Sequence, residues 1–370
     1  MIKLSQPIIS EEAIQDVSEV LRSGMLVQGQ HVKEFEEGLK DYIGTQGVLA
    51  VSSGTAALHV ALAALDIGEN DAVLVPAFTY PATANVVEIQ KAKTVLVDVD
   101  PFTYNIDPEK LEESILNYKD KERLRAIIVV HEFGAPANMT KILEIAYKFQ
   151  LFVIEDAACA LGTKWNEQHV GTFGDIGCFS CHPRKAITTG EGGVVVTNNP
   201  QLLKKMNLLR NHGVIKEADG TMDFILPGFN YRMTEFQAVL GTHQLKTFNS
   251  WLAQRKILVD YYLKQLKGDK SIQLPKPFEG HAWQTFMVVI NSNIKRAEII
   301  KNLKLKNIET NLGAQAIHML SYYRDKYNFD SNDYPVAKNL FESGLALPLH
   351  SELSINEIQY ICDNLKSLIY

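Results

Sequence analysis

The chain has 370 residues, 46% hydrophobic and 22% charged, a composition that excludes an extended disordered chain or a coiled coil and allows two domains of roughly 100–200 residues each. Its 37 Lys+Arg stand against 43 Asp+Glu, a net charge of −6, which supplies no basic field for a phosphate backbone, so nucleic acid is not an expected partner. The opening MIKLSQPIIS lacks the apolar stretch of a signal peptide, and no apolar run reaches the roughly 18 residues of a membrane span, so a cytoplasmic chain without a membrane partner is expected.

The first periodic segment, HVKEFEEGLKDYI, places Val32, Phe35, Leu39 and Tyr42 at helical spacing. GVLAVSS follows as a strand, and short runs rich in Val and Ile recur at 71–77, 92–100, 125–134, 152–158, 176–182 and 192–198. Such runs suit strands buried on both faces. Most of the links between the earlier ones read as helices, so the expected fold class is α/β, with a mostly parallel seven-stranded sheet in a large domain. After residue 200 the pattern turns to long helices, with one long or kinked helix over 234–266. A smaller C-terminal α+β domain is expected over 250–370, after a large domain over 1–249. It would contain HAWQTFMVVI as a strand and close on a helix that aligns Ile355, Ile358, Ile361, Leu365 and Leu368. The stretch 306–332, rich in Tyr, Asn and Asp, reads as a surface loop region. The first 30 or so residues are expected to pack on the small domain or on a partner subunit.

Cys159, Cys178, Cys181 and Cys362 include a single C-x-x-C, CFSC over 178–181. No second pair follows it, and strand alternation sends the two sulfurs to opposite faces, so buried reduced thiols are expected and no metal site.

Ligands of doubly wound sheets bind beyond the carboxyl ends of the strands, so the polar residues there carry the functional reading. Ser53, Gly54 and Thr55 join a strand to a helix, where unpaired backbone N–H groups and the positive end of the dipole favour an anion, or merely form a cap. Tyr80 in PAFTYPATAN can lie on a planar ligand or pack in the core. Of Glu155 and Asp156, alternation turns one inward, where a buried carboxylate needs a cationic partner. Lys185 lies in SCHPRKAITTGEGG, either solvated on a surface hairpin or held for chemistry. One object would use all of these groups. Pyridoxal 5′-phosphate (PLP) has a phosphate for Gly54 and Thr55, a ring nitrogen for Asp156, a ring face for Tyr80, and an aldehyde for a Schiff base with Lys185.

SGTAAL, PAFTYPATAN, DVDPFTYNIDP, EDAACALG, FSCHPRKAITTGEGG, LRNHG, GFNYRMTEFQA and the late ALPLH occur in this order over nearly the whole chain. In this the sequence resembles the sugar aminotransferases of the DegT/DnrJ/EryC1/StrS family, which have PLP fold type I, the fold of aspartate aminotransferase. The resemblance implies that Lys185 forms the Schiff base, Asp156 keeps the pyridine nitrogen protonated, Ser180 binds phosphate and Tyr80 stacks on the ring. It also implies that Asn230 reaches the cofactor phosphate of the neighbouring subunit in a homodimer with shared sites. Cys159, where the family usually has Gln or His, falls near the cofactor, and Cys181 stands where Phe is usual. His182, Arg232 and His318 are the implied substrate-binding residues, although the segment before His318 departs from the family pattern.

The implied reaction uses L-glutamate to aminate a keto sugar nucleotide, through pyridoxamine phosphate (PMP), for surface polysaccharide or glycoconjugate biosynthesis such as lipopolysaccharide O-antigen. HPRKAITTGEGG looks more like the branch that aminates C4 of a 4-keto-6-deoxy hexose nucleotide. The branch acting at C3 more often carries FFPSKxLGxxGDGG, and a C3-specific or inosose aminotransferase is the nearest alternative. In the related dehydratases histidine replaces the lysine, and Lys185 argues against that reading. A nicotinamide-dependent oxidoreductase would call for GxGxxG after the first strand, where only Ser-Gly-Thr stands. A non-catalytic cofactor-binding regulator would have no reason to keep Lys185 and Asp156 together.

Overall fold

The computed structural model describes residues 1–291 and 295–369. Seven strands form the main sheet: β1 (Gly47–Val51), β2 (Ala72–Pro76), β3 (Lys93–Val97), β4 (Leu124–Val130), β5 (Phe152–Asp156), β6 (Ile176–Ser180) and β7 (Gly193–Thr197). Their order across the sheet is β1-β7-β6-β5-β4-β2-β3. The pairs β2–β3, β2–β4, β4–β5 and β5–β6 are parallel, whereas β7 is antiparallel to both β6 and β1. The link from β6 to β7, residues 181–192, is a loop without a helix that turns the chain back beside β6. Gly193 at the start of β7 thereby pairs with Val51 on one side and Ser180 on the other. That register puts the ends of β1 and β6 at one level.

Ser53 caps the helix Gly54–Ala64, its side chain accepting from the Ala56 N–H at 3.0 Å. This helix is apolar nearly all round and is buried accordingly. The helix over 235–266 is continuous and begins in a capping box between Thr234 and Gln237. Its Phe248 packs in the core beneath the β6–β7 loop, and its Leu258, Val259, Tyr262 and Leu266 belong to a separate core. The expected boundary at 249/250 thus lies inside one rigid element. Around the separate core stand an antiparallel sheet of Ile272–Gln273, Phe286–Ile290 and Gly344–Leu347 and the helices Arg296–Leu305 and Ile355–Ile369. The N-terminal residues join this core: the Ile2 N–H donates to the Asn307 carbonyl at 2.7 Å, and the Leu349 N–H donates to the Leu4 carbonyl at 3.1 Å. The helix Glu11–Ser23 then meets the long helix through Asp16 and His243, 2.7 Å apart.

Two expectations are corrected. Residues 306–332 are not a surface loop: Gln315–Ala316 pairs with Phe78–Thr79, Ser321–Tyr327 is a helix, and Ala316, Ile317 and Tyr323 are buried. The tyrosines that looked polar carry large apolar rings, and Tyr323 reaches a polar partner by donating its hydroxyl to Asn85 at 2.6 Å. In HAWQTFMVVI the strand starts only at Phe286, because Trp283 has a φ of 51° and stacks on His281, ring centroids 3.6 Å apart.

The four cysteines are free thiols. Cys178 and Cys181 lie in cores on opposite faces of the main sheet, and burial pushes the Cys181 thiol up to about 12.

Both carboxylates that end β5 are buried, and they serve different faces. Glu155 accepts from the backbone N–H groups of Gly171, Phe173 and Gly174, each at 2.7 Å, and pairs with His131 at 2.9 Å. It ties the loop before β6 to the sheet. Glu155→Gln, which offers one acceptor oxygen where two are used, is expected to destabilise the chain by roughly 3 kcal/mol, measured by urea unfolding.

Candidate active site

The loop between β6 and β7 is a strapped structure. The Cys181 N–H donates to the Gly192 carbonyl at 2.9 Å, the Thr189 N–H to the Cys181 carbonyl at 2.9 Å, and the Lys185 N–H to the His182 carbonyl at 2.8 Å. Gln244 of the long helix fastens it from below, accepting from the Thr188 N–H at 3.0 Å and donating to the Thr188 carbonyl at 2.5 Å. Thr188 itself is buried. Lys185 is therefore not a solvated hairpin residue. Its Nζ donates to Cys159 Sγ at 2.9 Å, in the turn that follows β5.

Asp156, 4% exposed, ends β5 beside this amine. It accepts from the Thr83 hydroxyl at 2.8 Å and from the Ala158 N–H at 3.1 Å. Burial raises its pKa, while Thr83, Ala158, Lys185 and His131 pull the other way. Among the described residues no cationic side chain lies within ion-pair distance of it. At Lys185 burial favours the neutral amine, but Cys159, Asp156 and Glu132 outweigh it and the net direction is upward. The Cys159 thiol is itself raised by burial, with Lys185 opposing.

At the other end of the cluster, the turn into helix Gly54–Ala64 approaches β6 and β7 closely. A Cβ on Gly54 would fall 2.9 Å from that of Ser180, and one on Gly193 would fall 2.3 Å from the Ser53 carbonyl oxygen. Glycine at both places lets the helix N-terminus and the Ser180 hydroxyl converge. Ser180 Oγ already accepts from the His182 N–H at 3.4 Å, so its own proton is free for an anion. Tyr80, 71% exposed, is not a core residue, and its ring is open to a planar ligand. A phosphate cradle, an exposed aromatic face, an amine and a carboxylate without a cation together fit PLP.

Matching the family profile to the chain covers residues 7–366. The chain belongs to the DegT/DnrJ/EryC1/StrS aminotransferase family. It is a PLP-dependent aminotransferase. It is 37% identical to a GDP-perosamine synthase of Caulobacter vibrioides, over 90% of this chain and 88% of that one. A putative sugar aminotransferase from Streptococcus pneumoniae, in its PMP-form, superposes with a TM-score of 0.93 at 29% identity, covering 100% of this chain and 99% of that one. The Helicobacter pylori PseC aminotransferase, involved in the biosynthesis of pseudoaminic acid, also gives a TM-score of 0.93, at 26% identity over 100% and 99% of the two chains.

Of the remaining expected residues, His182 lies in the lysine loop, where its carbonyl accepts from the Lys185 N–H. His182 is half-buried, and burial lowers its pKa. Arg232 bridges to Val51 at the end of β1 and donates to Asn211 Oδ1 at 2.6 Å. Asn230, exposed, bridges to Asn211. His318 is 1% exposed. Its ring packs on Tyr334 with Nε2 3.2 Å from the Ser331 carbonyl, and none of these contacts is with the Lys185 cluster. That burial does not support a substrate contact.

Sequence reasoning passed over Glu132. It follows β4 in HEFG, is 4% exposed, and lies close enough to Lys185 and Asp156 to act on the charge of both. The rule that singled out Asp156, a carboxylate at a strand's carboxyl end, also applies to it. Lys185→Ala removes the one amine in this cluster. The variant is expected to lose the visible absorption of the lysine-bound cofactor and essentially all turnover, while PLP still binds through phosphate and ring contacts, as equilibrium dialysis would record.

Proposed function

We propose that the protein transfers the amino group of L-glutamate to C4 of a 4-keto-6-deoxy hexose nucleotide, as a cytoplasmic homodimer with shared sites, in the biosynthesis of a surface polysaccharide or glycoconjugate. The observation that carries the reading is the Lys185 amine at 2.9 Å from Cys159, in one cluster with Asp156, within a family whose relatives act in sugar biosynthesis. When bound, PLP supplies an aldehyde carbon that exchanges amines and a ring that takes up carbanion charge. Gly54, Thr55 and Ser180 would hold its phosphate, Tyr80 would cover its ring and Asp156 would receive the ring N–H. Lys185 would hold the cofactor aldehyde, and its free amine would be the base that moves a proton between the donor α-carbon and C4′. Lys185 is half-buried, with its Nζ against Cys159 Sγ.

His182 and Arg232 are the proposed substrate contacts of the chain. Asn230, exposed on the segment beside β1, is proposed to serve the partner's phosphate site. Mixed dimers of Lys185→Ala and Asn230→Ala chains then contain one doubly damaged site and one intact site. They are expected to recover activity that neither parent dimer has, and an absence of recovery would return Asn230 to its own subunit. Placement of one sugar carbonyl within reach of C4′ decides regiochemistry. Incubation with L-glutamate and matched 4-keto and 3-keto nucleotide sugars is expected to release 2-oxoglutarate with the 4-keto sugar, and NMR should locate the new C–N bond at C4. Turnover confined to the 3-keto sugar or to an inosose would reject the C4 assignment.

A further inference from the structure

The long helix that fastens the lysine loop through Gln244 carries Arg255 about three turns further on, hence on the same side. Arg255 is 8% exposed, and neither its Nε nor its Nη1 meets a hydrogen-bond acceptor. Among the described residues no charged group offsets that burial. Burial pulls the guanidinium down only to about 10, so the side chain is a cation at neutral pH. A buried charge without a partner is costly to hold, so the fold calls for an anion beside it.

Arg255 lines a cavity of about 20 Å³, bounded also by residues 5–8, by residues of the lysine loop between 183 and 188, and by His350 and Ser351. Its walls are tied together: the Leu349 N–H donates to the Leu4 carbonyl at 3.1 Å, the Leu353 N–H to the His350 carbonyl at 3.1 Å, and Gln254 to the Ser351 carbonyl. The polar groups that the helix and the loop bring are committed elsewhere. The Gln244 amide serves Thr188 and Leu240, the Thr188 hydroxyl donates to the Cys181 carbonyl, and Lys185 Nζ donates to Cys159. Arg255 is left over, and so is His350, 7% exposed, whose ring nitrogens meet no partner in hydrogen-bonding geometry although the Lys3 backbone is near. Among the described residues no Asp or Glu lines the cavity; Glu352 and Glu357 act on His350 from outside it. A space of this size admits one occupant close to water in size, which excludes sulfate and phosphate. A water molecule would meet the hydrogen-bonding need of the guanidinium and leave its charge uncompensated. We propose that this cavity is a halide site, in which a chloride ion held by Arg255 beside His350 neutralises the guanidinium and joins the N-terminal segment and the C-terminal core to the lysine loop. The site is separate from the cofactor cradle and does not depend on the assignment of the substrate.

The test uses the full chain loaded with PLP. Exchange of sodium methanesulfonate for sodium chloride at constant ionic strength is expected to raise the melting temperature by a few degrees and to saturate, because a ligand bound only by the folded state stabilises it by mass action. Bromide should act in the same way, and crystals grown in bromide should show an anomalous peak within hydrogen-bonding distance of the Arg255 guanidinium. Arg255→Met keeps the length of the side chain without its charge, and its melting temperature is expected to be independent of chloride. A chloride shift that survives in Arg255→Met belongs to some other site and overturns the proposal. So does a wild-type melting temperature that is indifferent to chloride or drifts with it without saturating, as a general salt effect would. Should Arg255→Met not fold, the bromide crystals of the unaltered chain decide: ordered water alone in the cavity rejects the halide. An equal, saturable shift with sodium acetate would make the occupant a carboxylate and overturn the assignment as well.

Discussion

An amine, two carboxyl groups and a thiol share one poorly solvated space at the carboxyl end of the main sheet, and the cost of burying charge there governs how each is held. Lys185 is the cation of the group, and the acids and the thiol around it raise its hold on a proton against the effect of burial. Asp156 is kept as an acceptor by Thr83 and Ala158 without an ion-pair partner of its own. In the proposed function the protonated ring nitrogen of PLP would supply that partner. An isolated buried carboxylate is otherwise hard to sustain.

The sheet exists in the form that makes this space possible. Parallel strands bring β4, β5 and β6 to one edge with their carboxyl ends together, and the reversal of β7 returns the chain past Lys185 to the level of Val51 and Ser180. Gly54 and Gly193 are needed because three backbones meet where even a methyl group would collide. The long helix then fixes the lysine loop through Gln244 and continues into the second core, so the site and the C-terminal part of the chain share a rigid element. Glu155, one residue from Asp156 but turned to the opposite face, braces the loop that leads into β6. Adjacent carboxylates on one strand thus divide structural and chemical work by alternation.

Much of this was legible in the sequence, for identifiable reasons. Short β-branched runs separated by helical periodicities determine a buried parallel sheet, and that sheet in turn determines where ligands bind. Ser53, Gly54, Tyr80, Asp156 and Lys185 could therefore be singled out by residue type and position alone. Family resemblance reached further, to the cofactor and the reaction class, because several motifs had to occur in one order. It did not settle His318, whose ring the fold buries against Tyr334.

Other features were decided only in three dimensions. The segment 306–332 looked polar, but Tyr323 finds a partner for its hydroxyl in Asn85 and so can bury its ring, which no composition reveals. The partnership of Lys185 with Cys159 joins residues from two loops whose approach depends on the register of β5 against β6. The hydrogen bond from Thr83 to Asp156 needs the helix Ala82–Ile89, which follows β2, to begin beside the end of β5. Sequence determined which groups could ionise and at which strand ends they stand. Tertiary structure decided how many hydrogen-bond donors each would meet once water was gone, and that number sets which of them can carry charge.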